Sequence, residues 1–522
     1  MRTPPPSHHA LSVDSLDLSD HELNDQAHKA AKSVQRLAMQ WQVECTAEPD
    51  ILRRLMQVAR HHRIEPPPQR GLQENLNRFT DPIWWRRALR KRFRLVEHAA
   101  IVAGKVHRHA SPCVSDKALK RAERDRRRLA ELLASIEATN LTTGEVRQLD
   151  ELAANSLANP AHRRRAMMVR IKGIDQHAMS HGDVGFLLTI TCPSRMHARH
   201  ANGSPNDRYD GASPRRAHAY LNSVWRRATR KLEHRGISAY GLRAVEPHHD
   251  GCPHWHVVTY VAPGHAQTLL DTLRACALRD SPGEPGAAEH RFDVVRIDPA
   301  KGGGAAYAAK YVSKNVDGQG VDVNDETGVD GRDSAVRAVT WARQWGIRQF
   351  QFFKVPPITP TRELHRLERV DADSPALQAA HQASRANKYA DWLAACDTHA
   401  LRFRVAYVER PSSRYAGETT RRIEGLTATA RDLHTPLSIV TRFDEWRIEP
   451  RKRDATAGGF SPLGLDSITA RSVDFIEVFG TAKQPPQDRR QATAEPRPLD
   501  WPAPGWRPPP HATEHPNSRL PC

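Results

Sequence analysis

The stretch YGLRAVEPHHDGCPHWHVVTY (240–260) limits the fold of this chain more than any other. Two runs, SAYGLRAVE (238–246) and HWHVVTYV (254–261), flank a polar turn that holds Asp250-Gly251. An Asp-Gly pair favours the tight turns that join neighbouring antiparallel strands, so the stretch predicts a β-hairpin. Around it, VGFLLTIT (184–191), bounded by Gly182 and Pro193, and RFDVVRI (291–297) read as further strands. Between them AHAYLNSVWRRATRKLEHRG (217–236) reads as an amphipathic helix, with Leu221, Trp225, Ala228 and Leu232 in register. A helix is also expected at about 265–278, and another after Gly302-Gly303-Gly304. Strands mixed with helices around a tight hairpin predict an α+β fold with an antiparallel sheet, not a doubly wound parallel one.

The 522 residues suffice for two to four domains. Residues 1–25 are polar and proline-started and are expected to be disordered. Residues 26–180 read as a helical basic region. Within it DPIWWRRALRKRFRLVEHAAIVAG predicts one helix, with Asp81 as N-cap, Pro82 at the first helical position and Gly104 past the end. Trp85, Leu89, Phe93 and Val96 form its apolar stripe. A second helix follows Ser115. Residues 181–370 form the mixed domain, 371–480 a C-terminal accessory region with a helix over 376–396, and 481–522 a proline-rich tail expected to be disordered. WARQWGIRQFQFF reads as helix then strand, and 400–480 gives no clear pattern.

Net charge is +18 with an isoelectric point near 9.9, which favours a polyanionic partner. From Arg86 to Arg128 there are 15 Lys and Arg against 4 Asp and Glu. A charge run is commonly a solvated helix face, but one so lopsided in so basic a chain points to nucleic acid. Arg86, Arg87, Arg90, Lys91 and Arg92 are the candidate DNA contacts, together with Lys310 further along the chain. The seven cysteines have no CxxC spacing, so neither a zinc knuckle nor a disulfide framework is indicated, and reduced thiols fit a cytosolic protein. No run approaches the roughly 18 apolar residues of a membrane span, and the N-terminus lacks the apolar core of a secretory signal.

His254 and His256 alternate on one predicted strand, so both project from the same face and can share one metal ion. An isolated His-x-His among 28 histidines is mostly accidental. Here Glu246 ends the partner strand of the hairpin and can add a carboxylate oxygen. Two nitrogens and one oxygen leave coordination positions open for a phosphate oxygen. His248 and His249 in the turn are substitute ligands or a polar turn. A four-histidine structural zinc site is the other reading, disfavoured by the lack of cysteine ligands.

Tyr307 and Tyr311 stand i, i+4 in YAAKYVSKN, with Lys314 between them and Lys310 beside them on the helical wheel. Ala305, Ala308, Ala309 and Val312 fall on the opposite side and supply a packing face. Most Tyr-x3-Tyr pairs are packing residues. With a separate packing face and a metal pair upstream, these read as nucleophiles for a phosphodiester, with lysine and metal favouring phenolate. The glycine run lacks GxxxxGK[ST], which occurs nowhere in the chain, so no NTP-driven motor is visible; the run is expected to make the lead-in to the helix flexible.

Three blocks, FLLTITCPSRMH (186–197), YGLRAVEPHHDGCPHWHVVTY (240–260) and GGGAAYAAKYVSKNVDG (302–318), occur in the order of the three motifs of the phage replication gene A protein family. DPIWWRRALR near 81 and WGIRQFQFF…RELHRL (345–367) are also similar to it, so the resemblance covers about 80–370. That family comprises rolling-circle initiators of the HUH endonuclease superfamily. The resemblance implies a five-stranded antiparallel sheet with the histidines on a central strand and Mg²⁺ or Mn²⁺ as cofactor. It implies His254 and His256 as metal ligands, Tyr307 and Tyr311 as nucleophiles, and Lys314 beside them. Glu246 matches a family glutamate, and its ligand role is inferred from the hairpin. Cys252 departs from an expected Thr, and the glycine run from a lead-in with more alanine. The expected activity is a site- and strand-specific nickase acting on phage origin DNA through a 5′-phosphotyrosine in the bacterial cytoplasm, with a host helicase and DNA polymerase as partners and no membrane. A relaxase or single-strand transposase with the same chemistry, or a non-catalytic zinc-containing DNA-binding protein, are the alternatives.

Overall fold

A computed structural model describes residues 18–44, 47–67, 71–324, 327–412, 414–415 and 417–451. Among these, the strands are β1 (Ile136–Asn140), β2 (Val146–Gln148), β3 (Val184–Ile190), β4 (Tyr240–Pro247), β5 (Pro253–Val261), β6 (Phe292–Arg296), β7 (Phe350–Phe353), β8 (Arg402–Pro411), β9 (Thr419–Thr429), β10 (Leu437–Val440) and β11 (Trp446–Pro450). They make three sheets, ordered β11-β1-β2, β10-β9-β8 and β6-β3-β5-β4-β7. Every pairing is antiparallel, so the α+β expectation holds. The hairpin read from Asp250-Gly251 is β4–β5, with Gly251 at φ +83°. β5 is the central strand of the five.

The two faces of this sheet bury different cores, as side-chain alternation along a strand requires. One core gathers Phe186, Leu188, Ile190, Val245, Trp255 and Val257 against helices Pro214–Glu233 and Ala266–Ala277. The other gathers Leu187, Leu242, Ala244, Val258 and Tyr260 with Tyr307, Tyr311 and Val312 of helix Gly303–Val316. Ile171 and Ile174 of helix Pro160–Ser180, Leu377, Ala380 and Trp392 of the C-terminal helices, and Leu426 and Ala428 of β9 join this second core. A third core, with Leu23, Leu55, Phe79, Trp85 and Leu89, lies within the N-terminal helices. None of the helices described is long and apolar enough to cross a membrane.

Several expectations change. Residues 20–25 are helical, not disordered: helix Asp20–Val43 starts at a capping box, in which Ser19 Oγ accepts from Glu22 N at 3.3 Å and Glu22 Oε2 accepts from Ser19 N at 2.7 Å. Residues 1–17 and the tail at 481–522 lie outside the described residues. The single helix expected after Pro82 is two, Pro82–Arg90 and Phe93–Val102. Asp81 caps the first by accepting from Ile83 N at 2.8 Å. At the break the bonds tighten, Arg92 N donating to Leu89 O at 2.9 Å, and Arg92 turns inward. The basic region is not wholly helical, because β1 and β2 interrupt it; β1 pairs with β11 from the far end of the chain. The helix over 376–396 is Pro375–Arg385 and Tyr389–Thr398, parted by Asn387 at φ +55°, a conformation asparagine tolerates.

Candidate active site

The register of the hairpin sets Glu246 directly opposite His254, and Ala244 opposite His256. All three polar groups are buried and face the same side of the sheet. His254 Nε2 lies 2.9 Å from His256 Nε2, and Glu246 Oε2 lies 3.9 Å and 3.7 Å from these nitrogens. The second oxygen, Oε1, accepts from Asn315 Nδ2. His256 Nδ1 meets Thr189 Oγ1 of β3 at 3.2 Å, which leaves its Nε2 directed at the cluster. Asn315 is fixed in turn, donating to Tyr311 O at 2.8 Å and accepting from Gln349 Nε2 at 3.2 Å. A buried N₂O set whose members are oriented by outer hydrogen bonds is the donor chemistry of a divalent-ion site.

The tyrosine helix lies over the sheet face that carries this cluster. The Tyr311 ring stacks on the His256 ring, with centroids 3.9 Å apart and planes 21° apart. Tyr307, one turn earlier, is buried in the same core. The expected division into an alanine back and a polar tyrosine face does not hold. Helices Pro160–Ser180 and Gly331–Trp345 and the sheet enclose this helix, so Ala308, Ala309, Tyr307, Tyr311 and Lys314 are all buried. The structure therefore brings Tyr311 against His256, one of the three members of the cluster. Lys314 Nζ donates to Asn324 Oδ1 at 3.5 Å, and Lys310 is half-buried.

The glycine run packs closely where flexibility was expected. Gly302 and Gly303 have φ of +89° and +61°, which side-chain-bearing residues rarely adopt. A Cβ on Gly303 would strike the Asp175 carboxylate, and one on Gly304 the Tyr260 hydroxyl. Asp175 Oδ1 accepts from Gly304 N at 3.0 Å and from Tyr260 OH at 2.7 Å. A carboxylate from helix Pro160–Ser180 thus occupies the position where the first turn of the tyrosine helix offers its unpaired amides.

In the turn, the His248 ring lies 4.1 Å from that of His254, and His249 is buried. Burial alone would raise the Asp250 carboxyl, but His197 at 3.3 Å, His248 and the Cys252 amide hold it below the usual carboxylate range. The basic cluster is partly engaged within the fold. Arg86 reaches Asp20 at 3.5 Å, Arg90 pairs with Asp125, Lys91 lies 3.9 Å from Glu65, and Arg92 is buried; Arg87 shares the helix of Arg86. Sequence reasoning missed Asn315, Thr189 and Asp175. Asn315 had a signal, because it stands i+4 from Tyr311 in the same motif. Thr189 and Asp175 had none, because only the fold brings them near.

Residues 10–319 match the family model described as bacteriophage replication gene A protein. A replication protein of Haemophilus phage HP1 is 34% identical over 73% of this chain and 50% of the relative. The replication gene A protein of Escherichia phage 186 is 33% identical over 72% and 56%. A probable replication endonuclease from a prophage-like region of Salmonella paratyphi A is 36% identical over 58% and 38%. The chain spans about half the length of the phage relatives it matches. No solved structure matches.

Proposed function

Since the chain belongs to the bacteriophage replication gene A protein family, we propose that it is a site- and strand-specific DNA nicking endonuclease of HUH type that initiates rolling-circle replication. The observation that carries this reading is Tyr311 stacked on His256 beside Glu246 and His254. Those three residues would hold Mg²⁺ or Mn²⁺, which when bound polarises a phosphoryl oxygen of the scissile phosphodiester. A tyrosine hydroxyl attacks the phosphorus and gives up its proton. The bond to the 3′ oxygen breaks, and that oxygen leaves as a free 3′-OH while the 5′ side stays on the enzyme as a phosphotyrosine. The 3′-OH primes synthesis by a host polymerase, with a host helicase opening the duplex. The second tyrosine cuts the regenerated origin, and the released 3′-OH attacks the first phosphotyrosine to close a circle. Lys314 and Lys310 add positive charge to the tyrosine helix, and Asn315 keeps Glu246 turned toward the histidines.

Supercoiled DNA carrying the phage origin, incubated with Mg²⁺ or with EDTA, tests the reading. Nicked circles with covalently bound protein are expected only with Mg²⁺. Absence of a metal-dependent adduct would leave a non-catalytic DNA-binding protein as the better description. Tyr307→Phe with Tyr311→Phe should abolish the adduct, and each single change should leave a partial reaction. An adduct on the double variant would mean that the nucleophiles lie elsewhere.

A further inference from the structure

A second set of ligating side chains lies outside this site. His177 and His181 stand one turn apart at the C-terminal end of helix Pro160–Ser180, and Asp397 comes from helix Tyr389–Thr398. One donor atom from each lies within 4.8 Å of the other two. His177 Nε2 is 3.5 Å from Asp397 Oδ2. Two ligands each ~2.0–2.1 Å from a tetrahedral ion stand about 3.4 Å apart, so this pair already has nearly the spacing of a coordination edge. The i, i+4 spacing puts both imidazoles on one helix face, with ring centroids 4.2 Å apart. The His177 carbonyl oxygen accepts from His181 Nδ1 at 2.8 Å. That bond keeps the proton on Nδ1 and leaves Nε2 with its lone pair, as ligating histidines require.

We propose that His177, His181 and Asp397 form a surface site for a divalent transition metal of the zinc type, with water completing the shell. Two imidazoles and one carboxylate are nitrogen and oxygen donors of the kind that Zn²⁺ takes in a four-coordinate shell completed by water. The ion ties helix Pro160–Ser180 to helix Tyr389–Thr398. The first of these carries Asp175, two residues from His177, and so holds the start of the tyrosine helix. The site serves to brace the fold and is separate from the Glu246–His254–His256 cluster.

The test titrates Zn²⁺ into the chelator-stripped full chain against a chromophoric chelator. His181 and Asp397 are exposed, so His181→Ala and Asp397→Asn are expected to fold; Tm without metal checks this. Because the sheet cluster carries the same donor types, the series is repeated on His254→Ala/His256→Ala. That background should retain one zinc, and adding His181→Ala should weaken it at least ~10-fold. In the wild-type background His181→Ala should lower zinc stoichiometry by one and remove part of the zinc-induced rise in Tm. Unchanged stoichiometry and an unchanged Tm rise in His181→Ala and Asp397→Asn would overturn the proposal. Mg²⁺-dependent adduct formation by His181→Ala should match wild type, so a failed zinc result and a failed nicking result are distinguishable.

Discussion

His218 is a histidine that the fold keeps neutral. It sits on helix Pro214–Glu233, where its Nδ1 accepts from Trp255 Nε1 at 3.4 Å. Burial, with help from Arg243, lowers its pKa from 6.5 to about 4. The unfolded chain therefore binds a proton between these values and the folded chain does not. Stability must rise with pH across that window and fall as pH drops from about 6.5 toward 4. His218→Gln keeps an acceptor for Trp255 but cannot titrate. Its Tm should fall less than that of wild type between pH 7 and pH 5; equal falls would show that His218 does not contribute. The Glu246–His254–His256 cluster is a different case, because its members were legible at the residue scale. Period-two spacing put His254 and His256 on one face, and the Asp-Gly turn fixed a register that sets Glu246 opposite His254. What was not legible was burial. The helical wheel of Tyr307 and Tyr311 assigns directions but cannot say that neighbours enclose every side.

The helix that carries the tyrosines depends on a residue from another helix. Asp175→Ala would leave the Gly304 amide and the Tyr260 hydroxyl without their buried acceptor. A buried donor without a partner costs about 1–3 kcal/mol, so two should lower stability by a few kcal/mol, read as a drop in the denaturant midpoint. Amide exchange should accelerate first at the start of helix Gly303–Val316. If exchange there stays at the wild-type rate while other regions speed up, Asp175 does not hold this helix. The glycine run illustrates why sequence reading stopped short at this scale. Gly-Gly-Gly reads locally as freedom, but here it marks close approach of a carboxylate some 130 residues away. Elements with local signals, such as the hairpin and helix Pro214–Glu233, were placed within a few residues. β1 and β2 were missed because a short strand is stabilised by cross-strand partners, and those of β1 include a distant segment.

For the whole molecule, charge is the property the sequence described best and placed least well. The net +18 remains, but Arg86, Arg90 and Lys91 have acidic neighbours within the fold, and Arg92 is buried. Helix Asp116–Ser135 buries little beyond Ala118 and exposes Lys120, Arg124 and Arg126. If DNA lies along it, each phosphate left without its cation by a substitution reduces the slope of log K against log salt by about 0.9. Lys120→Ala/Arg124→Ala should therefore flatten that slope more than Arg86→Ala/Arg90→Ala, without moving the nick. The reverse ranking would put the DNA on the Pro82–Arg90 side. The pairing of β1 with β11 has a consequence in time. On the ribosome β1 emerges about 300 residues before its partner, and at ~5–20 residues per second that is about 15–60 s. For that interval one edge of the β1–β2 hairpin is open to any other extended segment, so synthesis speed sets how long the nascent chain is exposed to mispairing.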